Sequence, residues 1–256
     1  MRGTNLPAIY VLWLREMKRL RRSKSRIVGM AALPLFFLVG LGYGMGSVRI
    51  GGAGGGVSYL QFLVPGVVGM TMLFAASFGG LSVLWDRQFG FLKEILVTPV
   101  DRVSIVLGRM AGSVTTALIQ GVLILAVSAV VGFRPVGVLG LVPALGFMAL
   151  IGTTFVGLGL LLASRIDDVQ AFNLLFNFVL LPLLFLSGAI YPIENLPSVA
   201  VYLAYANPLT YGVDGLRGVL VGVSTFDPLL DFVVMVGFAA ALVVAGAVAF
   251  DRSSAV

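Results

Sequence analysis

Six stretches of the chain are apolar from end to end and long enough to cross a bilayer as helices: residues 27–48, 60–84, 111–131, 138–163, 172–191 and 229–249. A helix needs about 20 such residues to span the hydrocarbon core. None of the six contains Lys, Arg or Glu, and their one acid is Asp231, near the start of the last. Two further apolar runs, 199–206 and 216–223, are too short to span. They lie within residues 192–228, where Pro192, Pro197 and Pro208 break up any long helix. The pattern predicts an all-α membrane protein of six spans, with a re-entrant segment before the last.

Between the apolar stretches the polar positions are lopsided. Fourteen of the 17 Lys and Arg residues fall in the N-terminal segment, in alternate connections and in the tail. Only Arg49, Arg134 and Arg217 fall on the other side. Positive charge collects on the cytoplasmic side of membrane proteins. Both termini are therefore expected in the cytoplasm, and the net charge of +6 follows from topology and not from nucleic-acid binding. The basic N-terminal segment leads into a run of full span length, so it is not expected to be a cleaved leader.

Residues 7–22 place Ile9, Trp13, Met17 and Leu20 on one helical face, with Arg15, Lys18 and Arg22 opposite. Pro7 suits a first helical position and Asn5 lies close to the cap. Such a helix is suited to the membrane surface, with Trp13 in the interface and Arg15, Lys18 and Arg22 near anionic lipid. The connection after the second span contains Phe89, Phe91, Leu92, Ile95 and Leu96, a short helix's worth of apolar side chains before Pro99. That is more apolar surface than a connector requires, and exposed apolar patches mark contacts. In the fifth span Gln170, Asn173 and Asn177 share one face, suited either to a polar path or to hydrogen bonds between helices. Gly40, Gly42, Gly44 and Gly46 in the first span predict close helix packing. Residues 51–56, almost all glycine, read as a flexible connector.

Composition narrows the chemistry. The 256 residues are 59% hydrophobic and 11% charged, with no Cys and no His. Disulfide scaffolds, Cys/His zinc sites and serine or cysteine catalysis through a histidine base are excluded. No glycine-rich run leads into Lys-Ser or Lys-Thr, so a Walker A phosphate loop is missing. A proton-coupled carrier would bury ionisable relays in its spans, and an aspartyl intramembrane enzyme would need two facing acids there. Neither arrangement is apparent.

Three ordered motifs carry a resemblance. They are Gly90-Phe91-Leu92-Lys93-Glu94 with Leu96-Val97-Thr98-Pro99-Val100-Asp101-Arg102 and Gly108-Arg109; the run from Leu181 through Ser187, Gly188, Tyr191 and Pro192 to Pro197; and Asn207-Pro208 through Asp214 to Arg217. Together they resemble the signature of type-2 ABC-transporter permeases, closest to the daunorubicin-resistance-like branch and to polysaccharide-export and nodulation permeases. The resemblance implies a connecting helix over residues 1–26 and a six-span permease domain over 27–256. It implies an ATP-driven exporter in the prokaryotic inner membrane, with two permease subunits, a homodimer ahead of a heterodimer, each docked on a cytoplasmic ATPase. This chain would hold no cofactor, with ATP and Mg on the ATPase. Phe89, Gly90, Phe91 and Leu92 would belong to the coupling helix, with Glu94 and Arg102 as its polar contacts. Asn173, Asn177, Thr71 and Ser77 would line the substrate path. Residues 192–228 would form an outer hairpin in which Asp214 and Arg217 pair at helical spacing, an arrangement worth a few tenths of a kcal/mol on an open surface. The substrate stays open between an amphipathic drug-like or lipid-like molecule and a lipid-linked polysaccharide, and an ATPase-independent carrier or channel is the alternative class.

Overall fold

The computed structural model describes residues 5–50, 56–88, 101–166 and 168–253. In chain order the described elements are α1 (Leu6–Arg22), α2 (Lys24–Gly44), β1 (Arg49–Ile50), β2 (Val57–Ser58), α3 (Tyr59–Gln88), α4 (Arg102–Val131), α5 (Leu141–Ala163), α6 (Val169–Leu186), α7 (Ser198–Tyr205), α8 (Pro208–Val221) and α9 (Pro228–Ser253). The two short strands pair antiparallel, Arg49 against Ser58 and Ile50 against Val57.

Five helical segments are long and apolar enough to cross a membrane: Tyr59–Asp86, Val103–Val131, Val138–Ala163, Val169–Leu186 and Pro228–Ala249. The first predicted span coincides with α2, whose apolar part, Ala31–Gly44, is shorter than a crossing. Two predicted spans were drawn short. The second runs on past Asp86 to Gln88, and the third begins nine residues early, at Arg102, and carries Arg109 inside the helix. A hydropathy reading stops at charge. Here Asp86 of the one helix and Arg109 of the other pair with each other.

The helix α3 is the hub. It packs on α2, α4, α5 and α8, and 88% of its apolar window is buried, against 22% for α6 and 17% for α9. Apolar attraction cannot drive such packing in lipid, so close van der Waals fit must. A Cβ on Gly80 of α3 would collide with the backbone of Gly159 on α5, so the two helices meet backbone to backbone there. The crossing of α5 with α9 is similarly close, with Gly157 facing the backbone of Leu242 and Gly246 facing Gly157. The glycines of the first span behave differently from the sequence expectation. Gly42 meets Leu60, but Gly40 and Gly44 have no neighbour within 4 Å. The face that α2 turns inward is Ala31, Pro34, Leu38 and Gly42, and Gly40 and Gly44 fall off that stripe.

The segment before the last span folds as two helices. The short α7 is mostly exposed, whereas α8 is buried among α3, α5 and α9. Asn207 lies between them: its side chain caps α8 by accepting from the Leu209 N–H at 3.0 Å and donates to the Leu183 carbonyl of α6 at 2.6 Å.

The packing predicts a contrast. Gly80→Leu is expected to cost about 1–3 kcal/mol or more, because the obstruction is backbone that cannot rotate away. Gly40→Leu should stay within about 0.5 kcal/mol. Thermal melts of the purified variants in detergent, followed by tryptophan fluorescence, compare them directly.

Candidate functional site

Residues 89–101 connect the end of α3 to the start of α4, and an ion cluster sits just inside that junction. Asp86 lies in the last turn of α3 and Arg109 two turns into α4. The Arg109 guanidinium stands 2.7 Å from Asp86 Oδ2, and both side chains are less than a tenth exposed. From α1, Arg15 reaches Asp86 Oδ1 at 3.1 Å and Oδ2 at 3.4 Å, with 40% of its side chain still exposed. One carboxylate therefore joins three helices. A buried guanidinium without a counter-charge would carry a large desolvation penalty, so the two inner charges each require the other.

Other contacts keep α1 on α4. The Asn5 side chain caps α1, accepting from the Ala8 N–H at 3.3 Å, while the Asn5 N–H donates to Ser104 Oγ at 2.9 Å. The Trp13 indole N–H donates to Thr115 Oγ1 at 3.1 Å. Close approach depends on two glycines one turn apart on α4. A Cβ on Gly108 would lie 2.9 Å from Leu12 Cβ, and one on Gly112 would lie 2.7 Å from Glu16 Cβ. Arg19 stacks over the Trp85 ring at 5.7 Å and lies 3.9 Å from Glu16.

These contacts give the predicted surface residues separate roles. Trp13 and Arg15, expected toward lipid, face α4 and Asp86. Lys18 and Arg22 are exposed and line an open depression along α1 with Arg15 and Arg19. Leu6, Tyr10 and Val11 form the apolar exposed surface of that helix. Phe89, Gly90, Phe91, Leu92 and Glu94 lie outside the described residues. Arg102 opens α4 and Ser77 lies within α3, but the side chains of both are outside the described part.

The expected path residues are not brought together within one chain. Thr71 is buried in the bundle, its hydroxyl donating to the Val67 carbonyl at 2.7 Å. Asn173 and Asn177 lie on the open side of α6, opposite the packed face of Phe172, Phe176, Leu180 and Leu184. Asn177 Nδ2 donates to the Asn173 carbonyl at 2.9 Å.

At the far end of the bundle Asp214 and Arg217 do pair, Oδ1 to NH1 at 3.5 Å, but in a setting unlike an open surface. Both are buried. Asp214 Oδ2 accepts from the Thr225 and Phe226 N–H groups, each at 2.8 Å. Arg217 donates to the Gly188 carbonyl at 2.8 Å and lies 3.9 Å from the Phe62 ring centre. Burial draws the Arg217 guanidinium down to about 10, opposed by Asp214 and then Glu194, so it remains cationic at neutral pH. The pair ties α8 to the start of α3, to the turn after α6 and to the loop before α9. Its expected contribution of a few tenths therefore understates the cost of removing one partner, because a buried charge would be stranded. Pro192 precedes a single turn, Ile193–Asn195, and Pro197 precedes α7. Asp231 is fully buried in the first turn of α9, where the helix dipole favours negative charge.

In the sequence Arg109 belongs to a family motif and Asp86 to the connection before it, and no local pattern pairs the two. A signal was present: Arg109 is flanked by Val103, Ile105, Val106, Leu107 and Met110, and a lone cation among apolar positions implies a buried counter-charge.

Comparison with known proteins adds a family. Residues 7–221 match the ABC-2 type transporter family. The chain is 33% identical over 241 residues to Nodulation protein J of Rhizobium leguminosarum bv. trifolii, covering 91% of this chain and 89% of that protein. It is 31% identical over 237 residues to the inner membrane transport permease YadH of Escherichia coli (strain K12), covering 90% of each. Nodulation protein J of Rhizobium meliloti (strain 1021) is 32% identical over 200 residues, 77% of this chain and 75% of that one.

The Asp86 cluster predicts unequal costs. Asp86→Ala should destabilise the chain by about 3–5 kcal/mol by stranding Arg109. Arg15→Ala should cost about 0–1 kcal/mol, because its charge is half in solvent. Denaturation of the purified variants in detergent, with the double variant to close the cycle, tests both.

Proposed function

The chain belongs to the ABC-2 type transporter family, and from that premise we propose that it is the membrane-embedded permease subunit of an ATP-driven exporter. Its relative YadH is an inner membrane transport permease, and its long apolar helices fit a multi-pass membrane protein. In this reading the 21 residues of α2, about 31 Å of helix, are the first of six spans. The termini face the cytoplasm, in keeping with the one-sided distribution of cations.

The observation that carries the proposal is the Asp86 cluster. The segment 89–101 is the element on which a cytoplasmic ATPase pushes, through Phe89, Phe91, Leu92 and Glu94, with Arg102 at its far edge. The helices that enter and leave this segment are clamped together by Asp86 and Arg109, and α1 is clamped to both. A displacement of the segment therefore moves α1, α3 and α4 as one body. ATP and Mg stay on the ATPase, in line with the missing phosphate loop in this sequence. A second permease subunit, another copy of this chain, covers the open side of α6 and places Asn173 and Asn177 in the path between protomers. The desolvation cost of polar side chains in lipid supports that placement. The exposed face of α6 also carries Leu174, Phe178, Leu181 and Phe185, apolar surface suited to a drug-like or lipid-like amphipath. Lys18 and Arg22 on α1 face the headgroups of anionic lipid.

The test is reconstitution with the cognate ATPase in proteoliposomes. Transport is expected only with both subunits and ATP. Phe89→Ala and Glu94→Ala should leave the ATPase able to hydrolyse ATP while transport falls by roughly ten-fold or more, about 1.4 kcal/mol of lost coupling. Robust transport by the permease alone in ATP-free vesicles would overturn the reading.

A further inference from the structure

A cavity of about 770 Å³ opens at the end of the bundle opposite the Asp86 cluster. Phe62, on its wall, and Asp86 are separated by about 36 Å of α3 at the usual rise of a helix. The cavity is lined within a single chain by the end of α2, the strand pair, the start of α3, the turn after α6 and the loop before α9. Its volume falls in the range of roughly 300–1,000 Å³ that holds small organic ligands. The site is distinct from the open face of α6, where Asn173 and Asn177 lie.

The walls specify the chemistry. Leu41 of α2, Met45 just after it, Phe62 of α3 and Ile190 after α6 make much of the lining apolar, which suits an alkyl chain better than water. Three charged side chains reach the cavity: Arg217, Glu194 and Arg49. Arg217 is already committed to Asp214, the Gly188 carbonyl and the Phe62 ring, and Glu194 adds its field to the same guanidinium. Arg49, exposed on β1, has no ion-pair partner among the described residues. Nor do Ile50 and residues 51–55, Gly-Gly-Ala-Gly-Gly, hold a counter-charge. The chamber is mostly apolar, with Arg217 held by Asp214, Arg49 free of an ion pair among the described residues, and the Glu194 carboxylate also in its lining.

We propose that this cavity is a binding site for an anionic amphipath, whose alkyl chain lies between Leu41, Met45, Phe62 and Ile190 and whose carboxylate or phosphate meets Arg49. Both a free fatty acid and an anionic phospholipid present that chemistry. The site requires neither ATP nor an ATPase, so it stands or falls apart from the exporter reading.

The test is photolabelling of the full chain in nanodiscs of zwitterionic phosphatidylcholine. Three diazirine probes are compared: palmitate, phosphatidylglycerol and a palmityl amine. The palmitate or the phosphatidylglycerol probe is expected to label peptides containing Met45, residues 59–62 and residues 190–195. Labelling by palmitate alone assigns a fatty-acid type ligand, and labelling by phosphatidylglycerol assigns a lipid. Arg49→Glu should lower labelling at these positions roughly five-fold or more, and Arg49→Lys, which keeps the charge, should retain about half or more. Ile190→Trp, which fills the cavity without changing charge, should also abolish it. The proposal is overturned if the amine probe labels these peptides as strongly, if Arg49→Glu and Ile190→Trp leave labelling unchanged, or if label appears only on the exposed faces of α6 and α9.

Discussion

The architecture depends on the cost of hiding a guanidinium from water. Arg109 lies within an apolar helix, and the Asp86 carboxylate at 2.7 Å makes that tolerable. Each charge thereby fixes the other's helix. The last turn of α3 and the second turn of α4 must stay in register, or a charge is left bare at a cost of several kcal/mol. Arg15 adds little stability through its half-exposed side chain, but it brings α1 into the same arrangement. Register is thus enforced at the junction between α3 and α4.

Away from that junction the bundle is held by shape. Lipid is as apolar as Leu or Val, so the helices gain little by hiding apolar side chains from it. The hub helix α3 instead meets α5 backbone to backbone at Gly80 and Gly159, and α5 meets α9 at Gly157 and Gly246. The outward helices α6 and α9 show the converse, long apolar rows turned away from the bundle. For α9 lipid is a sufficient partner. For α6, which turns Asn173 and Asn177 outward, it is a poor one.

Five of the six predicted spans correspond to helices of crossing length, because bilayer thickness imposes a run of apolar residues that hydropathy detects directly. Pro7 and Asn5 likewise marked the start of α1 by cap chemistry. Legibility failed where a residue's meaning lies in a distant partner. Arg109 and Asp86 are 23 positions apart, and Arg217 and Gly188 are 29 apart, so no local pattern pairs them. The glycines of α2 misled for the same reason, since a small residue signals close packing only when another backbone lies opposite. Thr71 fell on a helix buried on nearly every side, and one chain's periodicity cannot tell a central helix from a pathway wall.

The two charged locks sit at opposite ends of α3, and that placement constrains how the molecule can move. At one end Asp86 holds α1 and α4. At the other, Phe62 lies under the Arg217 guanidinium, which in turn grips the turn after α6. Between them α3 is tightly enclosed, with its backbone against α5 at Gly80. Sliding along its axis would separate buried charges at either end, and rotation would drive Cβ-bearing positions into the Gly159 backbone. Motion that preserves both locks must therefore carry α1, α3 and α4 together and tilt them against the helices beyond. Pro65 lies inside α3, three residues from Phe62, and it removes one backbone hydrogen bond there. A helix bends most readily at such a position. The axis of α3 can thus pivot beside the Arg217 lock without breaking it.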